Sequence, residues 1–225
     1  MARDSSVTIL YRIAEKGAKN KNKIKPAWIN NKSCLENLVK HTNGEARIVV
    51  FGDNLKAGTA EWICELPVEY IETKAHGNSE TFLEVYNYAL DLAADDIVYF
   101  VEDDYLHRPG FISIIKEGLN RVDYVSLYDH PDKYGGNPTR LFVTESSHWQ
   151  FVPSTTMTFA AKASTLVFDE DVFTQAVTTG NPPDHLIFSY LTGKMGRRLA
   201  TPIPGFATHG ETAFLAPIID WERLS

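Results

Sequence analysis

The chain has 225 residues, 44% of them hydrophobic and 23% charged, which suffices for one large domain with a full core. A formal net charge of −7 argues against a nucleic-acid partner, and no apolar run approaches the roughly 20 residues of a membrane span. The N-terminal Met-Ala-Arg-Asp-Ser-Ser lacks the apolar core of a signal peptide. Two distant cysteines, Cys34 and Cys64, do not make a disulfide framework, so a cytoplasmic setting is expected.

In chain order, Val7 to Leu10 reads as a short buried strand. The lysine-rich stretch from Lys16 to Lys25, closed by Pro26, reads as a solvated loop. Ser33 to His41 has helical spacing, with Leu35, Leu38 and Val39 on one face. Ala46 to Phe51 is a second strand, ending at the turn sequence Gly52-Asp53-Asn54, and Val68 to Ile71 a weaker third. The helix from Ser79 to Ala94 has the clearest pattern: Phe82, Val85, Tyr86, Ala89, Leu90 and Ala93 recur on one face, and Asn78 or Ser79 suits its N-cap. Ile97 to Val101 is a continuous apolar run, as in a strand buried on both faces. Pro109 suits the first turn of a helix aligning Ile112, Ile115 and Leu119, and Val122 to Tyr128 returns as a strand.

Alternating strands and helices predict an α/β fold with a doubly wound, mostly parallel sheet, whose ligands bind beyond the carboxyl ends of the strands. Gly52-Asp53-Asn54, His76-Gly77-Asn78-Ser79 and Glu102-Asp103-Asp104 all fall there. The second half is less regular. Turn clusters lie at His130 to Pro138 and Thr178 to Pro183, a strand or two between Leu141 and Ala161, and a helix at Leu186 to Thr192. One domain over 1–225 is expected, with halves 1–130 and 131–225.

Three consecutive carboxylates repel one another and need a cation or several hydrogen bonds to be tolerated. Hard oxygen ligands at a strand end suit Mg²⁺ or Mn²⁺, which bind through one or two carboxylates plus substrate phosphates. Asp95-Asp96, without that context, reads as an ordinary solvated turn.

An apolar strand, then Glu102-Asp103-Asp104-Tyr105-Leu106-His107-Arg108-Pro109, resembles the Asp-x-Asp segment of the GT-A fold nucleotide-sugar glycosyltransferases, especially the family-2-like inverting enzymes. Glu stands in the first place of the motif. The order of the other motifs is similar too: Val50-Phe51-Gly52-Asp53-Asn54, then His76-Gly77-Asn78-Ser79, then Pro183-Asp184-His185, Gly196-Arg197-Arg198 and Ala207-Thr208-His209.

The resemblance implies a Rossmann-like sandwich with 1–130 as the nucleotide-sugar-binding half and 131–225 as an elaborated acceptor-side half. By it, Asp104 holds the metal and His209 completes its site. Glu102 and Asp103 contact the ribose or the metal's waters, and Asp53 the base or ribose. Arg197 and Arg198 neutralise the diphosphate, and Asp184 is the catalytic base.

Plainer roles stay open beside these. Asn78, Ser79 and Asp184 suit helix caps, His209 and the two arginines suit the surface, and Trp149 suits the core as well as a sugar face. The implied cofactors are Mn²⁺ or Mg²⁺ and a nucleotide-sugar donor, UDP-sugar favoured. The implied partner is a glycan or glycoconjugate acceptor, with the chain acting alone or as one domain of a larger glycosyltransferase. A sugar-phosphate nucleotidyltransferase and a non-catalytic nucleotide- or glycan-binding module are the alternatives.

Overall fold

The computed structural model describes residues 6–15, 24–135, 139–178 and 184–225. Most of the Lys16–Lys25 stretch, Pro138 and Pro183 lie outside the described residues.

The first half holds β1 (Val7–Ala14), α1 (Asn31–Thr42), β2 (Arg47–Asp53), α2 (Ala57–Cys64), β3 (Glu69–Glu72), α3 (Asn78–Leu90), β4 (Ile97–Glu102), β5 (Tyr105–His107), α4 (Phe111–Leu119) and β6 (Tyr124–Val125). The second holds β7 (Leu141–Val143), β8 (His148–Phe151), β9 (Phe159–Lys162), α5 (Ala163–Phe168), α6 (Glu170–Thr178), α7 (Asp184–Gly193), β10 (Leu199–Ile203) and β11 (Ala207–His209). One nine-stranded sheet, ordered β3-β2-β1-β4-β9-β6-β10-β8-β7, runs through both halves. Within it only β8 and β9 oppose the common direction, so the sheet is mostly parallel as expected. β5 and β11 form a separate antiparallel ribbon.

Strand alternation divides the core into two layers. Ile9, Tyr11 and Ile13 of β1 face Cys34, Leu35 and Leu38 of α1 and Phe111, Ile112 and Ile115 of α4. Leu10, Val49, Val98 and Phe100 face the other way, against Phe82, Val85 and Tyr86 of α3 and Leu166, Phe173 and Phe188 of α5–α7. Helices therefore cover both faces, and β4 is buried on both.

Several elements differ from the sequence reading. β1 runs on to Ala14, because Arg12 is accommodated inside the strand. α3 begins at Asn78, and its N-cap is Gly77, whose φ of 101° lies where a side chain is strained. Neither Asn78 nor Ser79 caps it. Pro109 sits before the α4 N-cap Gly110 rather than inside the helix. The stretch 122–128 pairs as strand only at Tyr124–Val125, with a single bridge from Tyr128 to Ala207. The segment from Leu141 to Ala161 makes three strands, and α2, α5 and α6 were not expected. Ala207–His209 forms strand β11.

Order β2-β1-β4 places the reversal of strand succession between β1 and β4, so a crevice opens beyond their carboxyl ends.

Candidate active site

Glu102 closes β4 beside Arg12 of β1, its partner in the parallel ladder. Both side chains point to the α3 face, and Arg12 Nη2 donates to Glu102 Oε1 at 3.1 Å. Arg12 Nη1 also donates to the carbonyl and the side-chain oxygen of Asn78, at 3.0 and 3.1 Å. The guanidinium lies 5.3 Å from the centre of the Phe82 ring. Arg12 thus ties the start of α3 to the acidic cluster and is mostly buried there.

Asp103 turns to the opposite face. It accepts from the Ala14 N–H at 3.2 Å and from the Asn31 amide at 2.9 Å. Asp104 follows in the turn before β5. Its Oδ2 is 2.9 Å from the Lys25 ammonium and 3.2 Å from His209 Nε2. Antiparallel pairing of β5 with β11 sets Tyr105 opposite His209, which brings the imidazole beside Asp104. Gly210 follows; its N–H donates to the Asp104 carbonyl at 2.7 Å, and a Cβ there would lie 2.5 Å from Ile29 Cγ2. The Glu211 N–H donates to His209 Nδ1, so in the neutral ring Nε2 carries the proton toward Asp104.

These surroundings separate the three acids chemically. Burial, opposed by Arg12 and reinforced by Asp104 and Asp184, pushes Glu102 up to about 7. Burial and the neighbouring Asp104 raise Asp103 to about 6. Burial works against ionised Asp104 too, but His209 and Lys25 overcome it and hold that carboxyl well below the usual carboxylate range. Asp104 is the member of the triplet that stays anionic most firmly.

Asp53, the last residue of β2, grips the turn before α3. Its Oδ1 lies 2.9 Å from His76 Nδ1, and Oδ2 accepts from the Gly77 N–H at 2.9 Å and the Thr81 hydroxyl at 3.2 Å. Burial opposes the charge, yet these three donors hold its carboxyl below its ordinary value. Ser79 is buried in the first turn of α3.

On the far side of the crevice a pocket of ≈ 320 Å³ is lined by Ser126, Tyr128, His130, Thr155, Thr156 and Asp184, among others. Asp184 opens α7. Burial raises its carboxyl, an effect offset in part by Arg12 and by backbone N–H groups of Asp184 and Met157. Tyr105 joins the two sides: its hydroxyl donates to Thr156 at 2.8 Å, and its ring lies edge-on to His209 and Tyr128. Trp149 is fully buried, stacked on Phe142 and bonded to the Thr144 hydroxyl, so it belongs to the core.

Arg197 and Arg198 do not join this cluster. They precede β10, which runs in the direction of β4, and so lie at the amino edge of the sheet. Arg197 is clamped to buried Asp169 through Nε and Nη2, and the Arg198 N–H and guanidinium meet Asp123. The diphosphate role implied for them in the sequence is therefore withdrawn. Two residues that do enter the site, Arg12 and Asn31, were not singled out in the sequence. A charged residue directly after the apolar Val7–Tyr11 run was the available signal for Arg12.

Among the described residues no group of three or more His, Cys, Asp or Glu gathers to hold a metal by itself, and no helix is long and apolar enough to cross a membrane. Asp104 and His209 nonetheless fit Mg²⁺ or Mn²⁺ that takes its remaining ligands from phosphate and water. Ligation through Nε2 would move the ring proton to Nδ1 and release the Glu211 contact, at 3.3 Å a weak one.

No protein-family model and no curated protein sequence matches the chain. Solved structures do. GalNAc-T7 bound to UDP, GalNAc and Mn²⁺ superposes with a TM-score of 0.59 at 12% identity, over 91% of this chain and 43% of that one. S. aureus TarS 1–349 gives 0.51 at 15%, over 93% and 59%. A nucleotidyl transferase from Methanothermobacter gives 0.55 at 13%, over 88% and 87%. The chain thus spans about half the length of GalNAc-T7 and TarS 1–349 and most of the nucleotidyl transferase. Its fold is the GT-A-like α/β sandwich of these solved structures.

Proposed function

We propose that the chain is a metal-dependent, inverting glycosyltransferase. It would move a sugar from a nucleotide-diphosphate sugar, UDP-sugar favoured, to a hydroxyl of a glycan or glycoconjugate acceptor. The observation that carries this reading is the meeting of Asp104 and His209, 105 residues apart in sequence, at the mouth of the β1–β4 crevice.

Asp104 and His209 would hold Mn²⁺ or Mg²⁺, which supplies charge stabilisation to the departing diphosphate. Asp53 Oδ1 keeps a lone pair with which to accept from uracil or ribose. Glu102 shapes the crevice through Arg12, and Asn78 and Ser79 set the turn beside it. Asp103 braces the end of β1. Asp184, raised by burial and set in the wall of the pocket, suits a general base. It takes the proton of the acceptor hydroxyl as that oxygen bonds the anomeric carbon from the face opposite the diphosphate. The anomeric C–O bond to the diphosphate breaks, its electron pair leaves with the diphosphate, and configuration inverts. The hydroxyls of Thr155, Thr156 and Ser126 suit a polyhydroxylated acceptor.

Titration calorimetry with UDP and Mn²⁺ tests the metal assignment. Binding is expected to need the metal and to be abolished by Asp104→Ala, with the fold checked by circular dichroism; unchanged binding in the variant overturns it. Coverage of 87% of a nucleotidyl transferase favours a second reading, nucleotidyl transfer to a sugar phosphate. Release of pyrophosphate from a nucleoside triphosphate would decide for it.

A further inference from the structure

Every acid of the triplet has a cationic or N–H partner supplied by the protein itself. Glu102 has Arg12, Asp103 has the Ala14 and Asn31 N–H groups, and Asp104 has Lys25 and His209. The partner of Asp104 is the unusual one, because it stands where the proposed metal has to bind.

Lys25 Nζ and His209 Nε2 share a single oxygen, Oδ2, at 2.9 and 3.2 Å. All three side chains are largely buried, at 17%, 13% and 11% exposure for Lys25, His209 and Asp104. A divalent ion on that oxygen would sit at about 2 Å from it. It would then face an ammonium group already bonded to the same atom, with little water between them to screen the repulsion. On that oxygen the two cations would repel one another.

Lys25 is also held in place by the fold. Ile24, its neighbour, accepts from the Thr212 N–H at 2.9 Å, and the Pro26 carbonyl accepts from the Ile29 N–H at 3.0 Å. Ile29 in turn packs so closely on Gly210 that a Cβ there would collide with it. The stretch carrying Lys25 is thereby fastened to the turn that follows His209, so Lys25 and His209 are delivered to Asp104 by one packed unit.

We propose that Lys25 is an internal cation that competes with the divalent metal for Asp104, so that metal binding proceeds by displacement of the lysine. The inference rests on the metal site of the proposed function. Without metal, Lys25 neutralises Asp104 and keeps three adjacent acids compatible with a buried strand end. With metal, the ammonium leaves the carboxylate, and metal affinity is lowered by the work of expelling it.

Mn²⁺ binding without nucleotide, followed by electron paramagnetic resonance of the free ion, tests this. Lys25→Met is expected to bind Mn²⁺ roughly tenfold or more tighter than the parent protein, and Lys25→Arg about as the parent does. Adding Asp104→Ala to Lys25→Met should remove the binding. A second measurement needs no variant: Mn²⁺ should increase acylation of the Lys25 amine by a lysine-labelling reagent, read by peptide mass spectrometry. Asp104-dependent binding that Lys25→Met does not tighten, or Lys25 labelling that Mn²⁺ does not change, overturns the competition and leaves the metal site standing. Absence of any Asp104-dependent Mn²⁺ binding overturns both.

Discussion

The two ends of the sheet each carry an arginine–carboxylate pair with one member buried, and they are built differently. At the amino edge, Arg197 grips Asp169 with two nitrogens, between 2.7 and 3.1 Å, and Tyr124 donates its hydroxyl to the same carboxylate at 2.7 Å. Asp169 is fully buried, and the Phe168 ring covers the guanidinium at 4.7 Å. At the carboxyl edge, Arg12 reaches Glu102 through one nitrogen and one oxygen and spends its other arm on Asn78. Glu102 keeps 28% of its side chain open to solvent. A saturated, covered pair has nothing left to offer a ligand and serves as a bolt. A one-armed pair at an open crevice holds its shape and keeps acceptor capacity free. Charge alone does not separate site from scaffold; the number of unspent contacts does.

The sharpest break of that comparison is at Asp184, which faces the pocket. Asp184→Asn keeps the size and removes the proposed base, so kcat is expected to fall by about 10²–10⁴ while UDP affinity holds. If transfer continues at the parent rate, Asp184 is not the base. The raised pKa fixes the sign of the pH dependence. The base works only when deprotonated, so kcat should decline as pH falls, and at a higher pH than for an ordinary carboxylate near 4.

The bolt should respond in the opposite manner. Arg197→Met leaves Asp169 charged and enclosed without its partner, a change that costs about 3 kcal/mol or more of folding stability. Urea unfolding would show the loss. UDP affinity of the folded fraction should not change, because no atom of Arg197 approaches the crevice. A variant that stays stable but loses donor affinity would reverse the assignment.

How much of this was legible in the sequence depended on whether a feature is local. β4 was read to within a residue because burial on both faces writes a continuous apolar run, Ile97 to Val101. β1 was read too short because Arg12 interrupts its pattern, and the interruption is the residue that organises the crevice. α2 escaped because it buries only Ile63 and carries almost no periodic signal. β5 and β11, three residues each, are defined by their pairing with one another, so no local pattern announces them. The same pairing brings His209 to Asp104, which motif order suggested but could not place. Arg197 and Arg198 were misassigned for a related reason. Their position along the chain fits a phosphate clamp, but only the direction of β10 says which edge of the sheet they occupy.

Arg198 offers the smallest effect and a fine test of that directional argument. It is adjacent to Arg197 in sequence, yet its side chain is 61% exposed and its guanidinium lies 3.9 Å from Asp123. The stronger contact to Asp123 comes from its backbone N–H, at 2.7 Å, and survives any side-chain change. Arg198→Ala should therefore alter stability by no more than about 0.5 kcal/mol. It should also leave donor affinity and its salt dependence as they were, measured by UDP titration at two ionic strengths. A cation that touched the diphosphate would fail both halves of that expectation: its removal weakens binding and flattens the salt response. Two neighbouring arginines, one a bolt and one a solvated charge, would then differ by more than 2 kcal/mol in stability and not at all in donor binding.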